Sequence, residues 1–234
     1  MRKRSGVEGK NMRQSVAGSA ALGTWMALAG VATAGPDWTE VGDAGSTIST
    51  AQVPLGEGEI RSLAGRLGGR GQSEDFEDLY YIGIASPTTF RLELTSPDFD
   101  AQLFVFHITL SGGALGLLAN DNEHEETTAP VILPISTDGT EVTLDLPGIY
   151  LVAVAGTGRM PVSTTGEIFT YETSTEISGA DGPGGLNRHI GWTGQGQTGN
   201  YRVQMEGTIF PEIPAPASLG VLTMSGLLAR RRRG

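Results

Sequence analysis

The sequence predicts an all-β fold, an antiparallel β-sandwich or jelly roll, flanked by an N-terminal signal helix and a short C-terminal apolar helix. Three observations predict it. From Asp37 to Gly207 no stretch sustains a helical apolar period. Short apolar runs recur instead between clusters of Gly, Pro, Asp and Ser, as strands between turns should. Two runs alternate cleanly, Phe90-Arg91-Leu92-Glu93-Leu94 and Tyr201-Arg202-Val203-Gln204-Met205, so each buries one face and wets the other.

In chain order, residues 1–34 read as a secretory signal. A basic start and an apolar run from Val16 to Val31 precede Ala32-Thr33-Ala34, a small-x-small cleavage site, with the cut expected before Gly35. Met12-Arg13 would make a shorter, more ordinary start to this leader. Residues 35–210 form the β-domain. Its expected strands are Glu59 to Ala64, Leu79 to Ile84, Thr88 to Leu94, Gln102 to Ile108, Ala114 to Ala119, Val131 to Pro134, Glu141 to Leu144, Ile149 to Ala155, Ile168 to Thr173 and Tyr201 to Ile209. Leu79 to Ile84 and Ile149 to Ala155 are continuously apolar and should be central. Gln102 to Ile108 and Ala114 to Ala119 make a hairpin across Ser111-Gly112-Gly113. Gly179 to Gly199 holds eight glycines around Trp192, and a loop of that length should be functional or disordered. Residues 211–216 are a stiff Pro-rich spacer. Residues 217–234 are an uncharged stretch closed by Arg230 to Arg233, too short for a full span but ordered like a membrane anchor with its basic end in the cytoplasm.

Charge narrows the partners. The chain carries a net charge of -10, but nine of its 16 basic residues sit at the two ends. Gly35 to Pro216 keeps seven Arg against 25 acids, a net of -18. That surface excludes nucleic acid and anionic lipid and favours divalent cations, or simply solubility. The chain has no Cys. A domain of this length buries enough core to do without disulfides after export.

The tail, with Pro214-Ala215-Pro216-Ala217-Ser218, an apolar helix and an Arg run, resembles the PEP-CTERM sorting signal of bacterial surface proteins, with Pro-Ala-Pro in place of Pro-Glu-Pro. The resemblance implies a membrane exosortase as processing partner, cleavage near Pro214, Ala215 and Pro216, and display at the cell surface or in the extracellular matrix. The interior is similar to the pre-peptidase C-terminal domain, a β-sandwich of exported bacterial proteins. The matching pieces include Trp38-Thr39-Glu40-Val41-Gly42-Asp43, Ser73-Glu74-Asp75-Phe76-Glu77-Asp78-Leu79-Tyr80, Phe99-Asp100-Ala101-Gln102-Leu103, Ala119-Asn120-Asp121-Asn122, Pro147-Gly148-Ile149-Tyr150 and Tyr201-Arg202-Val203. By that match Glu40, Asp43, Asp75 and Asp78 become candidate Ca2+ ligands, and the module takes a binding or accessory role.

A second acidic group follows from the hairpin itself. Its outer ends carry Asp98 and Asp100 on one side and Asn120 and Asp121 on the other, and hard oxygen ligands gathered there are the chemistry of calcium. Turn capping is the alternative for all four. Trp192 is a candidate platform for a sugar ring of an extracellular polysaccharide, or a plug at the sheet edge. Catalysis has little support: Gly-x-Ser-x-Gly, His-Glu-x-x-His and a Cys nucleophile are all missing. The reading is an exported, surface-sorted, non-enzymatic β-sandwich binding calcium and an extracellular polymer. The alternatives are an accessory domain for a separate secreted hydrolase and, less favoured, a glycosidase or lyase acting through paired carboxylates.

Overall fold

A computed structural model describes residues 37–68, 75–95 and 97–212. The signal segment, the Pro-Ala-Pro motif and the C-terminal apolar stretch lie outside the described residues. Among the described residues fourteen strands follow one another: β1 (Asp37–Thr39), β2 (Ser62–Arg66), β3 (Glu77–Ile84), β4 (Arg91–Thr95), β5 (Ala101–Ile108), β6 (Ala114–Asn120), β7 (Val131–Ile132), β8 (Gly148–Gly156), β9 (Met160–Ser163), β10 (Gly166–Glu167), β11 (Ile177–Gly179), β12 (Gly191–Thr193), β13 (Asn200–Glu206) and β14 (Thr208–Ile209). The only helical element among the described residues is a single 3-10 turn at Pro87–Thr89. No helix among them is long and apolar enough to cross a membrane.

The strands form a five-stranded sheet ordered β1-β2-β13-β4-β7, a six-stranded sheet ordered β11-β6-β5-β8-β3-β14, and a three-stranded sheet ordered β10-β9-β12. Among the described residues every strand-to-strand pairing is antiparallel except β1 with β2. Alternation explains the layering. Leu63, Leu92, Leu94, Val203 and Met205 of the five-stranded sheet share one apolar cluster with Tyr80, Ile82, Leu103, Val105, Val152 and Val154 of the six-stranded one. Their polar neighbours Arg202, Gln204 and Glu206 stay exposed. This layering is compatible with a sandwich.

The six-stranded sheet is covered on its other face too. Leu79, Phe104, Phe106, Leu151 and Ala153 bury against Ile168 and Phe169, with Met160 and Trp192 packed at the margin. Burial on both faces is why β3 and β8 read as continuous apolar runs. Each fully buried Leu, Ile or Phe here contributes roughly 1.5–3 kcal/mol.

The hairpin forms as expected: β5 pairs β6 antiparallel, with Gly112 at φ 77 in the turn. A bulge opposite Val105/Phe106 changes the parity of β6. Gly116 therefore faces Ile168, and a Cβ there would overlap that side chain.

Several expected strands differ. Pro87 opens the 3-10 turn, so β4 starts at Arg91 rather than Thr88. The strand expected from Glu59 is delayed to Ser62 and runs on to Arg66. Glu141 to Leu144 makes one isolated bridge, Ile135 to Thr143, and no strand. Ile168 to Thr173 is not a strand: Ile168 and Phe169 plug the outer face instead. Tyr201 to Ile209 breaks at Gly207, whose φ of 72 sends β14 into the other sheet. The glycine-rich stretch is packed, containing β11's end and β12. Cβ atoms at Gly182, Gly184 and Gly185 would run into the backbone of Gly166 to Ile168 or Ala180, so these glycines permit close backbone approach.

Candidate metal centre

Antiparallel pairing gathers the start of β3, the end of β8, the start of β5 and the end of β6 at one end of the six-stranded sheet. Two acidic groups meet there. Alternation places Asp78 on the face of Tyr80, toward the five-stranded sheet, and Gln102 on the face of Phe104, toward the outer layer.

The first group draws on two distant segments. Glu40 follows β1, held by its N–H donating to the Ala64 carbonyl (2.8 Å). Asp43 lies in the next turn, where Gly42 and Gly45 adopt left-handed φ and Gly45 N–H donates to Asp43 Oδ1 (2.6 Å). Asp75 and Asp78 flank the entry to β3, and Gly68 N–H donates to Asp75 Oδ2 (3.0 Å). One oxygen from each of Asp43, Asp75 and Asp78 lies within 4.8 Å of the others. Oxygens on opposite sides of a calcium ion lie about 4.6–5.2 Å apart, so this spread fits that ion. The Glu40 charge acts on Asp78 and is itself acted on by Asp75 and Asp43, making it the fourth member.

Asp78 is wholly buried. Its Oδ2 accepts from the Tyr201 hydroxyl (2.6 Å), which in turn accepts from the Tyr80 hydroxyl (2.6 Å). The chain of donors ends on the carboxylate and favours its charge. Gly65 makes room for it, since a Cβ there would run into the Tyr201 hydroxyl. Asp78 Oδ1 and Glu40 Oε1 are buried without a hydrogen-bond partner, whereas Glu40 Oε2 takes the Arg66 N–H (2.9 Å). An unpaired buried acceptor costs about 1–3 kcal/mol, and more when charged. Burial, and next the Glu40 charge, push the Asp78 carboxyl up to about 9. Burial likewise raises Glu40. Among the described residues no salt bridge reaches Glu40, Asp43 or Asp78. Neutrality at Asp78 therefore comes from a proton or from a bound cation.

The second group lies on the opposite face. The Thr157 hydroxyl sits 2.8 Å from Asp100 Oδ1 and 2.9 Å from Asp121 Oδ1, although it has one proton to give. Gln102 also hydrogen-bonds Asp121, and Asn122 Nδ2 donates to Asp121 Oδ2 (3.1 Å). Six buried side-chain polar atoms among the described residues lack a partner. Five are oxygens at the two groups: Glu40 Oε1, Asp78 Oδ1, Gln102 Oε1, Asn122 Oδ1 and Tyr171 Oη, whose ring carries its hydroxyl close enough to feel the Asp121 charge. Sequence reasoning missed Gln102, Asn122, Thr157 and Tyr171, because neutral side chains carry no charge signal.

Other candidates take different places. Asn120 Oδ1 accepts from Val131 N–H (2.7 Å), and its Nδ2 donates to the carbonyls of Asn122 (3.0 Å) and Glu176 (2.8 Å), ties that brace a buried turn. Asp98 Oδ2 accepts from Asn200 Nδ2 (2.7 Å). Trp192 is half-buried, with its ring edge-on to Phe104 at 5.4 Å and its Nε1 donating to the Ser46 carbonyl (2.8 Å), the posture of a plug. No family model matches the chain, and no curated protein matches it.

Proposed function

We propose that this chain is an exported, surface-sorted, non-enzymatic β-sandwich whose fold is completed by calcium at Glu40, Asp43, Asp75 and Asp78. The observation that carries the calcium reading is the pair of buried, partnerless oxygens, Asp78 Oδ1 and Glu40 Oε1, inside a cluster of calcium dimensions. The site is all oxygen, which suits a hard cation over a transition metal. Its ligands come from the β1 exit and the β3 entry, so an ion there would tie the start of the domain to its central sheet. The chemistry is adhesion and stiffening outside the cell, where calcium is plentiful, and no reaction step is assigned to it.

Calcium is expected to bind with a dissociation constant of about 0.1–1 mM, as in extracellular modules. At ten times that concentration it adds roughly 1.4 kcal/mol. For a domain of this size the melting temperature rises by about 3–5 °C. Melts of the full chain in calcium chloride against sodium chloride at matched ionic strength test this, because plain screening also relieves acidic repulsion. Asp43→Asn and Asp75→Asn should each remove the share of the calcium-specific rise that this site supplies. Equal melts in the two salts would overturn the reading.

The sorting part rests on the order of spacer, apolar stretch and Arg run. Protein recovered from its native surface should have an intact mass lacking both the leader before Gly35 and the run Arg230 to Arg233. A mass that retains that Arg run would refute processing by an exosortase-type partner.

A further inference from the structure

We propose that Asp100 and Asp121, with the Thr157 hydroxyl and the side-chain amides of Gln102 and Asn122, form a second calcium site, independent of the first. The two carboxylates approach a single hydroxyl at 2.8 and 2.9 Å, and one proton cannot satisfy both. One of these contacts therefore sets oxygen lone pairs against each other unless a carboxyl holds a proton or a cation lies between them. The second observation is Gln102. It is 3 % exposed, it reaches Asp121, and its Oε1 has no partner. Asn122 repeats the pattern, with Nδ2 on Asp121 and Oδ1 buried and unpaired. A carboxamide exchanges its nitrogen and oxygen by a half turn about its last bond. Both amides can thus present oxygen where they now present N–H, which converts two donors to carboxylate into two neutral ligands beside it.

The composition selects the ion. Two carboxylates balance a divalent charge, and the neutral oxygens of Thr157, Gln102 and Asn122 complete a hard, nitrogen-free set. No side-chain cation competes among the described residues: the nearby Arg159 is committed to Glu77 at 2.7 Å and to the Gly194 carbonyl at 2.6 Å. The backbone is already fixed, because Thr157 N–H donates to the Asp100 carbonyl (2.9 Å) and Asp100 N–H donates to Gln197 Oε1 (3.2 Å). The two sites stand on opposite faces of the same sheet end, with ligands from different segments.

Calorimetric titration of the full chain with calcium chloride tests the proposal. Two equivalents are expected for the unmodified protein. One should remain in Asp75→Asn, one in Asp121→Asn, and none in the double variant. Asp100→Asn should repeat the Asp121→Asn result, which keeps the test valid if either variant fails to fold. In the metal-free state Asp121→Asn should melt at or above the parent temperature, since it removes a like charge; a purely structural carboxylate would melt lower. One equivalent lost with Asp75→Asn but unaffected by Asp100→Asn and Asp121→Asn overturns the second site and leaves the first. One equivalent lost with Asp121→Asn alone overturns the first and leaves the second. No calcium uptake overturns both.

Discussion

Without divalent cations, the protein should lose about 3 kcal/mol of stability between pH 6.5 and pH 9, an extrapolation at about 1.4 kcal/mol per pH unit for one group. The group is Asp78, raised to about 9 by burial and then by the Glu40 charge. A carboxyl raised in the folded state contributes stability that is fully present below its unfolded value of 3.8 and is lost as pH rises through about 9. Glu40 and Asp121 are raised as well and act in the same direction. His189 opposes them in the acid range. It is buried against Phe106 and Trp192 with Nε2 unpaired, and burial depresses it from 6.5 to about 4. Its contribution is present above pH 6.5 and lost as pH falls toward 4. The two slopes nearly cancel between those values, so the loss emerges only above pH 6.5. Melts in EDTA across pH 4–9 should show a plateau and then a fall of roughly 6–12 °C. Asp78→Asn should flatten the alkaline fall. His189→Phe should expose a rise in stability toward acid. Saturating calcium should replace the proton and cancel the alkaline fall. A flat metal-free profile from pH 6.5 to 9 would contradict the assignment of Asp78.

Arg159→Ala should destabilise the fold by about 2–4 kcal/mol, because it leaves Glu77 as a buried charge without its partner. Glu77 is 3 % exposed and receives two hydrogen bonds from the guanidinium, at 2.7 and 3.1 Å. The same Arg donates to the Gly194 carbonyl and lies 5.6 Å over the Phe76 ring. It joins the start of β3 to the end of β12, so its loss also loosens the outer layer. The pair itself is worth much less than the cost of breaking it. Glu77→Leu combined with Arg159→Leu should therefore recover most of the stability lost in Arg159→Ala. Urea melts of the single and double variants decide this. Equal losses in both would mean that the pair holds the layer by a net attraction beyond desolvation.

The elements legible in the sequence were those whose burial pattern is their own. Arg202 and Gln204 between Tyr201, Val203 and Met205 announce a strand with one wet face, and β13 is that strand. The runs in β3 and β8 announce burial on both faces. Less legible were β9, β11 and β12, whose Gly, Ser and Pro carry weak strand preference and whose pairing is imposed by the sheet they cover. Ile168 and Phe169 misled because an apolar pair has no period, and a plug and a strand look alike. At the first site, the β1–β2 pairing fixes Glu40 on the five-stranded sheet while Asp78 stands on β3 of the six-stranded one, a long-range meeting that no local pattern shows; only the family resemblance groups them. At the second, Asp100 and Asp121 followed from hairpin geometry. Asn120 stands next to Asp121 in the sequence, yet adjacent residues along an extended chain point to opposite faces. That alternation alone separates the brace from the ligand.

The break at Gly207 has a consequence for the order in which the chain can fold. β13 fills the centre of the five-stranded sheet, where β2 and β4 each pair with it and not with one another. Immediately beyond Gly207, β14 closes the edge of the other sheet against β3. A chain emerging N-terminus first thus has neither sheet complete until residue 209 is free. Paired β3, β5, β6 and β8 can form earlier, but closure of the five-stranded sheet around β13 is a late step in synthesis.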